Sequence, residues 1–543
     1  MKHVVLSLFT AGSLFGAVSA MAATTFAIDS LDGDITANEL KQFTNSINGL
    51  TPPTDNYGDN MSTHGTEVEG MRRMYEATGN MNVLNRLIKF CDVELVNRND
   101  QAQGDHRTMW DGTMAPGWPE GATNTTPACT TGQIHGNIAY CALLILETPS
   151  IWNTTIPDGN PYGYGATYKQ RATNYLAKVD QGLGQYITKW FVDTNTFKIH
   201  TPSDSRWLPA SGQDTAETAW NRQSLFVMAY QYSAECHDVL GDNPSFLPLY
   251  KGIVNQFATW FVAPYSSGGS VYYTNSGDRV AKWYYQIPTD QHIENQGHAQ
   301  HDVIGLYGAW ESGYAAVSSA QMQVYADTTL NVINLGSTNQ WADNVDGTGS
   351  VDGSVKSDFI FLSQWDPPLY KMIAQANIND GQINGSEGCK NTAYILWMKH
   401  AFALQGVFQV QNKASALVLN QQGSLTNGSA ITQWTISTSS NVDWQFFPTG
   451  GGYYEINSVK SGKDAVVQSA STANGAGIIQ WSFGSAGNDQ WKPMPNTDGT
   501  YTFVNLHSGL VLEDPASSTN KTTQMDQWTS NGGNNQKWIL LKQ

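Results

Sequence analysis

A chain of 543 residues is longer than one ordinary hydrophobic core organises, so two or more domains are expected. Only 14% of residues are charged while 11% are aromatic, and the formal net charge is −17 against 29 Lys and Arg. No basic stripe is present, so nucleic acid is not an expected partner; the acidic balance also disfavours a strongly anionic substrate unless arginines cluster locally.

Lys2 and His3 precede an apolar stretch from Val4 to Val18, and Ala20 and Ala22 form an A-x-A cleavage signal. Residues 1–22 therefore read as a signal peptide, which predicts a secreted, extracellular protein. No later segment offers about 18 uninterrupted apolar residues, so no membrane span is expected. The five cysteines lack C-x-x-C spacing; one or two disulfides are expected, with at least one free thiol and no zinc knuckle. A monomer without metal or cofactor is the simplest expectation.

Residues 23–404 carry helical periodicity. Val68, Met71, Met74 and Tyr75 line one helix and Leu84, Leu87, Ile88, Cys91 and Leu95 a second, broken at Thr78-Gly79-Asn80. Further helices are predicted over 132–146, 168–191, 216–240, 249–261, 296–312, 320–335, 358–376 and 392–404. Helices in this number, separated by Trp-, Gly- and Pro-rich loops, pack naturally as a ring of helical hairpins around a cleft. The segments Tyr75-Glu76-Ala77-Thr78-Gly79-Asn80 and Glu294 to Val303 resemble the repeat unit of (α/α)-toroid carbohydrate-active enzymes. That resemblance implies an all-α (α/α)-toroid barrel and a polysaccharide lyase, a glycoside hydrolase or an epimerase, since one fold hosts all three.

The densest polar cluster is Tyr285, Asp290, His292, Glu294, Asn295, His298, His301 and Asp302. β-Elimination on a uronic acid needs a base for the C5 proton, a donor for the carboxylate and an acid for the leaving oxygen. Tyr285, Asn295 and His298 supply such a set, with His64 and the glycine-flanked His135 as further candidates. Arg206 is a candidate clamp for a substrate carboxylate. Hydrolysis by an Asp/Glu pair is the alternative, with Glu67, Asp111, Asp214, Glu217, Glu294 and Asp302 as possible members. His292, Glu294, His298 and His301 also have helical spacing that can chelate, although no metal is assigned. Trp110, Trp118, Trp207 and Trp283 flank loops and are candidate sugar-stacking residues. A secreted glycan-binding protein without catalysis is the remaining reading.

From residue 405 to 543 the pattern becomes a repeat. Gln-Trp recurs at 433–434, 480–481 and 527–528, and Trp444, Trp491 and Trp538 share the same 47-residue period. Short alternating segments between Gly, Asn and Ser turns predict a threefold all-β fold. These residues resemble the ricin-type β-trefoil lectin family, also met as a carbohydrate-binding module. The resemblance places sugar-contacting residues early in each repeat: Glu513 with Asn534 and Trp528 in the third, and Asn420 in the first. Val466 fills that place in the second and offers no hydrogen bond. The whole reading is a secreted polysaccharide-degrading enzyme, lyase before hydrolase, held on its polymer by the lectin-like module.

Overall fold

The computed structural model describes residues 26–53, 65–119, 128–207, 218–286, 290–450, 452–484, 486–496 and 498–543. The expected signal peptide, His64, Asp214 and Glu217 lie outside them.

Residues 37–403 are mainly helical: α1 (Ala37–Gly49), α2 (Gly65–Thr78), α3 (Met81–Val96), α4 (Ala128–Leu146), α5 (Tyr168–Gly182), α6 (Thr188–Phe191), α7 (Trp220–Leu240), α8 (Leu247–Phe261), α9 (Gln296–Glu311), α10 (Ser319–Thr328), α11 (Pro368–Asn379) and α12 (Gly388–Ala403). Local chemistry sets their starts. Thr36 with Glu39, Thr167 with Gln170, and Ser318 with Gln321 form reciprocal capping boxes that satisfy orphan amides of α1, α5 and α10. The helix expected over 358–376 is two elements, a 3-10 helix (Ser357–Gln364) followed by α11. Pro367 explains the break, because it pushes Asp366 out of helical geometry.

α2 packs on α4, α4 on α7, α7 on α9, α9 on the 3-10 helix, the 3-10 helix on α12, and α12 back on α2. α3, α5, α8 and α11 pack against the members of this circuit that flank them in sequence. Members of the circuit are buried nearly all round; every residue from Gly388 to His400 of α12 is buried. A helix buried on all sides has lost its solvent face, so its charged residues must meet partners inside the ring. Arg72 and Arg73 do so, over the ring of Tyr140 at 4.8 and 5.6 Å. Gly132 and Gly136 of α4 lie against Leu225, Phe226 and Met228 of α7, where a Cβ at 132 would stand 2.8 Å from the Leu225 carbonyl. Those glycines serve close helix packing.

Residues 407–542 form a network of twelve strands among the described residues, from Val407–Asn412 to Trp538–Lys542, whose first and last members pair antiparallel. Three copies of one arrangement build it. Trp444, Trp491 and Trp538 are fully buried, and their indole N–H groups donate to the carbonyls of Leu419, Ala465 and Leu512 at 3.1, 2.7 and 3.1 Å. The glutamines of the Gln-Trp dipeptides are buried clasps. Gln433, Gln480 and Gln527 accept from Ser415, Ser461 and Ser508 at 2.8, 2.8 and 2.7 Å, and donate to carbonyls of a loop in another repeat.

The two regions are joined face to face. Tyr453 donates to the Glu147 carbonyl at 2.6 Å, just past the end of α4. Tyr501 and His400 both bond Asp34. A cavity of about 460 Å³ lies in this seam, lined by Tyr307, Glu311 and Trp397 on one side and Phe446, Tyr453 and Tyr454 on the other.

Four described cysteines, Cys91, Cys141, Cys236 and Cys389, are free and buried, which corrects the expectation of disulfides for these four. The Cys129 side chain lies outside the described residues. No described helix is long and apolar enough to cross a membrane.

Candidate functional site

Asn295 is the N-cap of α9, and its Oδ1 accepts the His298 backbone N–H at 3.1 Å. The cap fixes what surrounds it. Glu294 is pinned before it, donating its N–H to the Trp283 carbonyl and accepting from Val345 N–H at 3.1 and 3.0 Å. Its side chain is fully buried, and Oε1 faces His298 Nδ1 at 3.2 Å. The His298 side chain is 42% exposed, so its ring reaches solvent while its back rests on a buried carboxylate. The Tyr285 ring lies 5.1 Å from His298 and stacks on His292 at 4.9 Å. A concavity of about 400 Å³ opens beside Asn295 and Gly297, edged by Asp352, Lys356, Glu387 and Asn391. The structure thus brings Tyr285, His292, Glu294, Asn295 and His298 together.

Asp302 sits one turn deeper. It is fully buried, accepts from the Trp283 indole N–H at 2.9 Å, and burial together with the nearby Glu294 raises its carboxyl well above the usual range. That shift favours the neutral carboxyl, and Asp302 has no exposed face to offer a substrate. His301 is pushed down to about 4, first by burial and then by the Lys390 ammonium. Lys390 is itself buried between Gln300 Oε1 at 3.0 Å and Asp358 Oδ2 at 3.1 Å. Across the ring, Glu69 accepts from Gln133 at 3.2 Å and from Tyr394 at 3.4 Å. A polar-lined interior is one reading of the stretch around Glu294, but Glu69, Asp358 and Lys390 are not legible as its members from their own segments. The signal of such an interior is a charge inside an otherwise apolar helix, as in Gly70-Met71-Arg72-Arg73-Met74 and Cys389-Lys390-Asn391.

Several expected site residues have other work. His135 is fully buried, Nδ1 faces the Thr131 carbonyl at 2.7 Å, and burial holds its imidazole neutral, down to about 3. Arg206 is not a free clamp: its fork already grips Asp204 at 2.9 and 2.8 Å. Trp118, Trp207 and Trp283 are at most 1% exposed and Trp110 only 9%, so none presents a face for sugar stacking. Trp110 donates to Tyr186 at 2.9 Å within an aromatic cluster. Asp111 accepts from Thr113 and Trp190 and closes a turn. Glu67 is buried at the start of α2. Among the described residues no group of three or more His, Cys, Asp or Glu is placed to hold a metal ion.

In the β-region the exposed tryptophans among the described residues are Trp434, Trp481 and Trp528, at 41%, 46% and 40%, one per repeat. Only the third had been singled out, although the Gln-Trp period marks all three. Beside each Trp lies a cross-strand pair: Asn420 with Thr432, Val466 with Ile479, and Glu513 with Asp526. The middle pair is apolar. Glu513 is buried and accepts from Gln536, the glutamine of Gln536-Lys537-Trp538. Asn534 is exposed and opens the 3-10 turn that ends at Gln536. Asn420 donates to Thr432 Oγ1 at 3.3 Å and lines a concavity of about 380 Å³ with Trp434, Asn441 and Lys521.

Residues 395–481 and 487–543 match the family model described as ricin-type beta-trefoil lectin domain-like. The C-terminal region is a ricin-type β-trefoil lectin domain. Among solved structures, the chain is similar to the designed threefold-symmetric protein ThreeFoil, with 32% identity over 26% of this chain and 100% of that one, TM-score 0.25. It is similar to an exo-beta-1,3-galactanase from Clostridium thermocellum at 33% identity, over 25% of this chain and 30% of that one, TM-score 0.25. A Macrolepiota procera ricin B-like lectin, solved with lactose, matches at 16% identity over 26% of this chain and 97% of that one, TM-score 0.23. No curated protein matches the chain. The lectin domain implies carbohydrate binding by this protein.

Proposed function

We propose that the protein is a secreted enzyme that cleaves a uronic-acid-containing polysaccharide by β-elimination, with the lectin domain holding it on the polymer. In this reading the helical region is an (α/α) toroid, supported by the closed circuit of helix contacts, and its site is the solvent-facing side of His298 at the start of α9, next to the concavity that Asn295 lines. One observation carries the proposal: His298 backed by buried Glu294, with Tyr285 and Asn295 beside it. A carboxylate at Nδ1 keeps the proton there and leaves Nε2 as the basic nitrogen. His298 Nε2 takes the C5 proton, the C4–O bond breaks, and a C4=C5 double bond forms. The Tyr285 phenol gives its proton to the departing oxygen. Asn295 Oδ1 is committed to the cap and its Nδ2 lies 3.4 Å from His298 Nδ1; with that nitrogen protonated toward Glu294, Nδ2 turns to the substrate carboxylate as a donor. Glu294 and Asp302 are both fully buried, which weighs against their use as a hydrolytic pair.

The test is the ultraviolet absorbance of unsaturated uronate ends when the full chain meets uronate polymers. His298→Ala is expected to lower turnover by about 10²–10⁴-fold, the range of a lost general base, and Tyr285→Phe to lower it without changing substrate retention. New reducing ends without that absorbance would replace the lyase by a hydrolase. Binding without cleavage would leave a lectin. Full turnover by both variants would remove this site from the chemistry.

A further inference from the structure

The three lobes of the lectin domain repeat in backbone and diverge in charge. Left-handed residues recur at Gln422, Ser469 and Ala516 with φ of 63°, 56° and 54°, so the loops are built alike. Each exposed Trp is approached by a loop of another repeat. At the second lobe, Asn427 Oδ1 accepts from Ser482 beside Trp481; at the third, Asn474 Oδ1 accepts from Thr529 beside Trp528. The same loop position facing the first lobe, 47 residues after Asn474, is Lys521, and its Nζ stands 5.0 Å from the centre of the Trp434 ring. Lys521 is exposed and makes no ion pair among the described residues. The first-lobe concavity contains no carboxylate, being edged by Asn420, Thr432, Trp434, Asn441 and Lys521. The third lobe is the reverse: Glu513 and Asp526 pair across strands, and burial next to Glu513 pushes Asp526 up to about 7.

We infer that Lys521 is a specificity-determining residue that makes the first lobe a receptor for an acidic sugar, one bearing a carboxylate or a sulfate ester, while the third lobe takes neutral sugars. Trp434 supplies the apolar surface for the pyranose, the neutral amides Asn420 and Asn441 meet hydroxyls, and the ammonium meets the anion. On a chain of net charge −17 a concavity with a single cation and no acid is a local reversal of sign, and such a reversal attracts the ligand that the rest of the surface repels. The inference rests on glycan binding by the lectin domain; because a uronate also meets the α9 site in the proposed function, the sulfated probe reads the first lobe alone and the uronate probe reads it through the change that Lys521→Gln makes.

Binding is measured by calorimetry on the full chain carrying His298→Ala, so that turnover does not consume the probe. The probes are oligogalacturonate, a sulfated galactan oligosaccharide and a neutral galacto-oligosaccharide. Lys521→Gln is expected to weaken one or both acidic probes by about tenfold or more and to leave the neutral one unchanged. Added salt should weaken the same acidic probe, and Lys521→Arg should restore it. Whichever acidic probe loses more names the anion. Trp528→Ala should weaken only the neutral probe. Equal losses for acidic and neutral probes, or wild-type affinity of Lys521→Gln for both acidic ones, would overturn the assignment. Loss of turnover by His298→Ala alongside unchanged first-lobe binding separates this inference from the lyase proposal.

Discussion

The lectin domain and the helical region solve burial in opposite ways. In the lectin domain one solution is used three times: a buried Trp donating to a carbonyl, a buried Gln bridging repeats, and an exposed Trp beside it. The helical region uses single links between residues far apart in sequence. Lys399 of α12 is ion-paired with Glu39 of α1 at 2.8 Å, both side chains fully buried, and nothing else in the described chain repeats that pairing. Repetition spreads a structural role over copies; single links concentrate it.

That contrast can be broken by substitution. Trp538→Ala should cost about 3–5 kcal/mol, the range for truncating a buried aromatic, and Trp491→Ala should cost the same within experimental scatter. Chemical denaturation of each variant checks it; unequal losses would show that the lobes are not energetically equivalent. Lys399→Met should also cost about 3–5 kcal/mol, because it strands the Glu39 carboxylate without its partner. Its denaturation should affect helical signals first. Tyr453→Phe removes only the hydrogen bond to the Glu147 carbonyl and should cost about 0.5–1.5 kcal/mol, read as a shift in the midpoint at which the two regions separate.

A further effect is one of pH. Burial pushes the carboxyls of Glu147 and Glu311 up to about 7 from an ordinary 4.5. Between those values the folded chain binds more protons than the unfolded one, so these groups favour folding at low pH and that contribution is lost as pH rises through 7. Melting temperature should therefore fall by a few degrees between about pH 5 and pH 8, and Glu147→Gln should flatten the slope. A rise over the same interval would contradict the assigned burial.

The legibility of the sequence follows the same contrast. The 47-residue period exposed the lectin domain because three copies of one side-chain role cannot be hidden by local variation. Helix positions such as 168–191 and 296–312 are also readable from periodicity, while the apolar spacing runs on through Pro367 and hides the break that the proline itself makes. At the α9 site, Asn295 and His298 were recognisable because an N-cap and its third residue are neighbours in sequence. Glu69, Lys390 and Asp358 were not, since they meet only when distant helices close into a circuit. The tryptophans misled for a related reason: Trp118, Trp207 and Trp283 lie near loops in sequence but in the core in space, and exposure is a tertiary property.

α9 begins at the cap beside His298 and ends at Glu311 in the seam with Tyr453 and Phe446. Its 16 residues therefore act as a ruler of about 24 Å between the candidate cleft and the lectin domain. Because the lectin domain is seated on the helices and not strung on a long tether, that separation is fixed. Under the proposed function a saccharide must be longer than that separation before the α9 site and a lectin lobe hold it together, so turnover per chain should rise once polymer length passes it, where a flexible tether would give a gradual climb.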